Sequence, residues 1–179
     1  LARAVKPDDV HFARTRLLTL ENTWHGRVLD PEYVSAATSW ARAQGLATHL
    51  DGARIFNAAI ASGRTPAALV EGFDTVSICL SKGLGAPVGS VLVGPAQVIA
   101  CARRWRKMLG GGMRQSGVLA AGALHALDHH VDRLAEDHGR AARLAEGLGR
   151  ARAIEVRACH TNMVVIDVPL ARLDALRRH

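Results

Sequence analysis

The sequence predicts an α/β fold built on a mainly parallel sheet, and three observations carry that expectation. Short β-rich runs alternate with helical patterns along the chain. Three of the strand-like runs end in polar residues, Asn22, Asp51 and Lys82, and open α/β sheets bind ligands beyond the carboxyl ends of their strands. A chain of 179 residues with 49% hydrophobic and 22% charged residues can bury a core and is globular, not disordered.

The elements follow in order. A first strand is expected over 15–20, ending at Glu21-Asn22-Thr23. Asp30-Pro31 then supplies a helix N-cap and a proline at the first helical position. Val34, Ala37, Trp40 and Ala41 follow at helical spacing, and Gly45 closes that helix. A second strand over 46–50 delivers Asp51, and short helices over 55–61 and 66–71 flank Gly63. The third strand, 75–80, delivers Lys82. The fourth, 90–93, is reached across a loop short enough for antiparallel pairing. A helix over 95–108 is stopped by Gly110-Gly111-Gly112. From 115 to about 147 the pattern is helical, with Leu119, Leu124, Leu127, Val131, Leu134 and Leu144 as its apolar stripe. A strand over 163–168 opens a second unit, and 170–178 reads as a helix. This divides the chain into a large domain, 1–148, and the beginning of a small C-terminal α/β domain, 149–179. Neither Leu1 nor His179 resembles a natural terminus, so a fragment is expected.

The formal net charge of +7 invites a nucleic-acid reading. Arg133, Arg140, Arg143 and Arg150, however, are mixed with Glu136, Asp137 and Glu146, the pattern of solvated helix faces. The dense run Arg103-Arg104-Trp105-Arg106-Lys107 suits the phosphate of a small ligand as well as a polynucleotide. Cys79, Cys101 and Cys159 are odd in number and far apart, which implies reduced thiols in the cytoplasm and excludes a zinc ribbon. No apolar run approaches membrane-spanning length.

Among 23 Lys+Arg, only Lys6, Lys82 and Lys107 are lysines. Arginine stays charged, whereas a desolvated lysine can lose its proton and act as a nucleophile. Lys82 ends a strand in Ser81-Lys82-Gly83, and Asp51 ends the preceding one in Asp51-Gly52-Ala53-Arg54. A lysine and an aspartate at neighbouring strand ends are what pyridoxal phosphate requires: an amine for the Schiff base, and a carboxylate to keep the pyridine nitrogen protonated. Ala53 is small enough to lie beneath a ring, and Arg54 can grip a substrate carboxylate through two nitrogens. Taken singly, Asp51 reads equally as a helix cap and Lys82 as a solvated loop lysine; together with Arg54 they favour the cofactor.

Three stretches now point to a family. His49-Leu50-Asp51-Gly52-Ala53-Arg54-Ile55-Phe56-Asn57, Ser81-Lys82-Gly83-Leu84-Gly85-Ala86-Pro87-Val88-Gly89-Ser90 and Arg104-Trp105-Arg106-Lys107-Met108-Leu109-Gly110-Gly111-Gly112-Met113-Arg114-Gln115 closely resemble the low-specificity L-threonine aldolases. That family has the fold-type-I, aspartate-aminotransferase-like architecture and uses pyridoxal 5'-phosphate. The resemblance runs from about Pro7 through Thr161-Asn162-Met163, nearly the whole chain. It implies that Lys82 carries the cofactor, that Asp51 partners the pyridinium and that Arg54 binds the substrate carboxylate. It further implies that Lys107 and Arg114 reach the cofactor phosphate across a subunit interface, and that His11 lies near the substrate hydroxyl. Without the family, Lys107 and Arg114 read as a basic helix face and His11 as a loop histidine. The resemblance also implies a homo-oligomer, a dimer of dimers. The family's phosphate-cradling Gly-Thr loop, ring-stacking histidine and second carboxylate-binding arginine have no counterpart here. Where the family reads Glu-Asn-Thr-His-Asn, this chain reads Glu21-Asn22-Thr23-Trp24-His25.

Other signals lead elsewhere. Gly83, Gly85 and Gly89 mimic a dinucleotide fingerprint, but they precede a strand and that motif must open a helix. His125, Asp128, His129 and Asp132 share helical spacing and read as a solvated face, so no metal is expected. Ser81 suits a hydrogen bond to phosphate, or simply ends its strand. The expected activity is cleavage of L-threonine or L-allo-threonine, a small amino-acid substrate, to glycine and an aldehyde. A β-eliminating lyase or transaminase would use the same Lys–Asp pair, and an inactive basic fragment binding nucleic acid is the reading from another class.

Overall fold

The computed structural model describes residues 1–151, 154–169 and 173. The helix expected over 170–178 therefore lies, Leu173 apart, outside the described residues.

A 3-10 turn at Ala2–Ala4 precedes the first strand, β1 (Leu17–Glu21). Helix α1 (Pro31–Ala43) starts where the sequence predicts: Asp30 accepts a hydrogen bond from Glu32 N at 2.9 Å, with Pro31 in the first turn. It buries Val34, Ala37, Thr38 and Ala41, one helical face, against the sheet. Strand β2 (Ala47–Asp51), helices α2 (Ile55–Ser62) and α3 (Pro66–Leu69), and strand β3 (Thr75–Cys79) follow. Thr65 caps α3 by accepting from Ala68 N at 3.2 Å. Strand β4 (Ser90–Val93) completes a four-stranded sheet in the order β1-β2-β3-β4. The first three strands are parallel and β4 runs antiparallel to β3, as the short connecting loop requires.

Parallel pairing fixes the site. Glu21 stands opposite Asp51 and Asp51 opposite Ser77, so the carboxyl ends of β1, β2 and β3 open on one edge. The register is pinned at the other end of β2. There Thr48 N donates to Asp74 Oδ2 at 2.7 Å, and Asp74 N donates to Thr48 Oγ1 at 2.9 Å. Leu50, Ile55, Ala58, Ala59, Leu69 and Val76 form one core cluster on this frame. Leu80, Leu84, Ala86, Ala126 and Leu134 form a second, and Phe56 and Ile78 pack against both. Full burial of a side chain such as Leu50 contributes about 1.5–3 kcal/mol.

Three expectations change in the second half. The helical stretch from 115 is two helices, α5 (Gly117–His129) and α6 (Leu134–Gly149), following α4 (Ala96–Met108). The expected apolar stripe is only partly buried. Leu134 is 1% exposed, but Leu124 is 61% and Leu144 56% exposed, while Ala126 is buried. The small residue lies where another segment approaches closely, which leucine spacing does not reveal. A strand absent from the sequence reading, β5 (Glu155–His160), pairs antiparallel with β6 (Met163–Asp167) as a separate two-stranded sheet. The turn between its strands touches the loop after β1 at Gly26, whose carbonyl accepts from Thr161 Oγ1 at 2.8 Å.

Candidate active site

Asp51 is the last residue of β2 and is half-buried. Its Oδ1 accepts from Ala53 N at 3.0 Å, closing an Asx turn that reverses the chain into α2. Its carbonyl accepts from Asn22 N at 2.9 Å, which joins the ends of β1 and β2. Gly52 N donates to Ser77 O at 2.8 Å, which joins β2 to β3. Gly52 leaves no room for a side chain, since a Cβ would stand 3.0 Å from that same carbonyl oxygen. The glycine is needed for close approach.

Arg54 follows at the N-cap of α2, where φ is −129° and ψ is 32°. Its Nε is buried and has no hydrogen-bond partner among the described residues. A buried donor without an acceptor is costly, and a carboxylate or another anion would satisfy it. Ala53, half-buried, lies between this donor and the Asp51 carboxylate.

Strand β3 ends at Cys79, earlier than the sequence pattern suggests, and Ser81 and Lys82 are exposed in the loop beyond it. The loop is built as a turn, with Gly85 N donating to Lys82 O at 2.9 Å and Ala86 N to Leu80 O at 3.0 Å. The Cys79 Sγ lies 3.6 Å from Ser81 Oγ. Burial pushes this thiol up, but hydrogen bonding with Ser81 and Ser90 and the charge of Lys82 outweigh it, leaving it below the ordinary thiol value. Adjacent parallel strands thus bring Asp51, Arg54, Ser81 and Lys82 to one edge of the sheet.

The other expected residues stand apart from this group. His11 is exposed, and its Nδ1 pairs with Asp9 Oδ1 at 2.7 Å. Hydrogen bonds from the His11 backbone and ring hold the Asp9 carboxyl below its usual range. Lys107 lies in the last turn of α4, and Arg114 follows the glycine run; both are exposed. Among the described residues no hydrogen bond or ion pair links any of these three to Asp51 or Lys82.

A cavity of about 610 Å³ lies beside Asp51 and is lined also by Glu21, Trp24 and Tyr33. Trp24 is therefore a wall of the space next to the candidate carboxylate. Neither Glu21 nor Tyr33 is among the candidate site residues that the sequence offers; Glu21 is the register partner of Asp51, and Tyr33 reaches the cavity from α1. No group of three metal-ligating side chains occurs among the described residues. No described helix is long and apolar enough to cross a membrane.

This arrangement has relatives. A low specificity L-threonine aldolase of Escherichia coli K12 is 54% identical over 168 residues, covering 94% of this chain and 50% of its own length. Low-specificity L-threonine aldolase 1 of Arabidopsis thaliana is 49% identical over 162 residues, covering 88% of this chain and 45% of its own. The solved structure of Leishmania major threonine aldolase, 19% identical, shares the fold with a TM-score of 0.78 over 95% of this chain and 51% of that one. The chain thus spans about half the length of these relatives. The family model described as β-eliminating lyase matches residues 1–171, and the chain belongs to that family.

Proposed function

We propose that this chain supplies the lysine–aspartate half of a pyridoxal-phosphate enzyme that cleaves L-threonine or L-allo-threonine to glycine and an aldehyde. The observation that carries the reading is the grouping of Asp51, the unsatisfied Arg54 Nε and Lys82 at neighbouring strand ends. The cofactor fits this set, because an orphaned buried guanidinium nitrogen calls for an anion and a half-buried carboxylate calls for a cationic partner. When bound, the cofactor supplies an electron sink for the pair released as the Cα–Cβ bond breaks.

Each residue has a separate task in this reading. Lys82 would hold the cofactor through its Nζ amine. Asp51 keeps a proton on the pyridine nitrogen, its carboxylate already aimed by the bond from Ala53 N. Ala53, small and half-buried, would leave room for the ring beside them. Arg54 grips the substrate carboxylate through Nε and a terminal nitrogen, which orients Cα–Cβ. Ser81, Lys107 and Arg114 serve the phosphate, the last two from a neighbouring subunit. His11 takes the β-hydroxyl proton, which requires it to leave Asp9 or to act together with it.

The same reading has the large domain end near residue 148 and the small one begin at 149, which the separate β5–β6 sheet supports. It includes a homo-oligomer arranged as a dimer of dimers. The exposure of Trp105, Met108 and Leu109 around the end of α4 supports a covering partner there. The free thiols Cys79, Cys101 and Cys159 suit a reducing, cytoplasmic setting.

Product analysis with L-threonine tests the activity. Glycine and acetaldehyde in equal amounts are expected. A keto acid in their place would assign elimination or transamination, and no turnover with salt-dependent retention on DNA would favour a nucleic-acid-binding protein.

A further inference from the structure

We propose that His130 is a positioning residue for Lys82, fixing the loop that carries it through one hydrogen bond to the Leu84 carbonyl. The inference rests on the reading of Lys82 as the cofactor-bearing lysine.

The loop from Lys82 to Pro87 lies along one face of α5. Gly122, Ala126 and His130, spaced four residues apart, form the contact stripe. A Cβ on Gly122 would come within 2.9 Å of Pro87 Cδ, so the helix and loop are as close there as glycine permits. One turn on, Ala126 is 1% exposed and packs with Leu80, Leu84 and Ala86. At the end of the stripe, His130 Nδ1 lies 2.7 Å from Leu84 O. A carbonyl oxygen only accepts, so Nδ1 carries a proton and donates it.

That contact sits where it governs Lys82. Leu84 is 3% exposed and lies within the turn closed by Gly85 N and Lys82 O. Gly85 adopts φ +72°, so the turn needs glycine at that position. From the other side Leu134 abuts Gly83, at 2.7 Å from where a Cβ would stand. The break between α5 and α6 thus brackets the loop, with His130 supplying the hydrogen bond and Leu134 the apolar wall. Without the His130 donor, the turn keeps its packing but loses a directional restraint two residues from Lys82.

The test compares His130→Phe, which keeps a ring and removes the donor, with His130→Asn, whose side-chain nitrogen occupies the place of Nδ1. Both are purified with pyridoxal phosphate, stripped, and titrated with it while the visible cofactor absorbance and the melting temperature are followed. The phenylalanine variant is expected to bind cofactor about three- to tenfold more weakly, the worth of one hydrogen bond, with an altered visible spectrum. The asparagine variant is expected to recover most of the affinity and the parent spectrum. Should His130→Phe fail to fold, His130→Ala is read in its place. Unchanged affinity and spectrum, or an asparagine variant no better than phenylalanine, would overturn the inference, as would a lower melting temperature alone. Lys82→Ala separates the two claims. If it retains the parent absorbance, the reading of Lys82 fails; if it loses the absorbance while His130→Phe changes nothing, only the role of His130 falls.

Discussion

Asn57 on α2 donates its side-chain amide to His138 Nε2 on α6 across 3.2 Å. The amide nitrogen can only donate, so Nε2 must be the unprotonated nitrogen of a neutral imidazole. Burial holds His138 below its ordinary value of 6.5, with the nearby Asp137 charge pulling the other way. Asn57 is buried in the first turn of α2, three residues after Arg54, so this bond ties the turn that carries Arg54 to α6.

A pH dependence follows from that bond. The unfolded chain protonates His138 more readily than the folded one, so stability rises with pH in this window. The contribution is fully present above 6.5, and it is lost as pH falls from there through the lower folded-state value. Urea midpoints measured against pH should decline below 6.5 in the parent and decline less in His138→Gln, which cannot titrate. Parallel curves would refute the assignment.

Arg54→Lys should lose binding of the substrate carboxylate by about a hundredfold or more, because one ammonium cannot replace a two-nitrogen grip on a desolvated carboxylate. The buried Nε has no other described partner, so the melting temperature should not fall. The Michaelis constant for L-threonine and a thermal melt, taken together, check both parts.

Gly83→Ala would drive a methyl group to 2.7 Å from Leu134 Cδ2. Leu134 is 1% exposed and has little room to yield. Overpacking of this kind costs about 1–3 kcal/mol. An unfolding free energy from denaturant titration lowered by that amount, with weaker cofactor binding from the displaced loop, is the expected outcome.

Gly26→Ala should loosen the β5–β6 sheet from the loop after β1. Gly26 has φ +84°, and a Cβ would stand 2.6 Å from the His160 backbone oxygen. Hydrogen exchange confined to β5 and β6 should quicken, while β2 and β3 keep their protection.

The parts of this molecule that sequence made legible are those governed by local chemistry. Asp30-Pro31 starts α1, and the runs before Asp51 and Lys82 are strands because their apolar residues and punctuation act within a few positions. The grouping of Asp51, Arg54 and Lys82 was legible because parallel strands carry their ends to one edge. Long-range contacts were not. The helix from 115 breaks at His130, where the side chain finds the Leu84 carbonyl 46 residues away. Ala126 is buried where Leu124 is not, because the Lys82 loop needs a small neighbour. Strand β5 is masked in the sequence because the alternation in Glu155–His160 includes charged and thiol side chains. His11 shows the converse: its role came from resemblance alone, and its side chain, 82% exposed, pairs with Asp9.

The proposed chemistry depends on Lys82. Borohydride reduction of the protein saturated with pyridoxal phosphate, followed by peptide mass mapping, tests it directly. The cofactor mass should be fixed to the peptide containing Lys82, and Lys82→Ala should lose both the label and the visible absorbance. A label on Lys6 or Lys107 in its place, or an unchanged absorbance in Lys82→Ala, would contradict it.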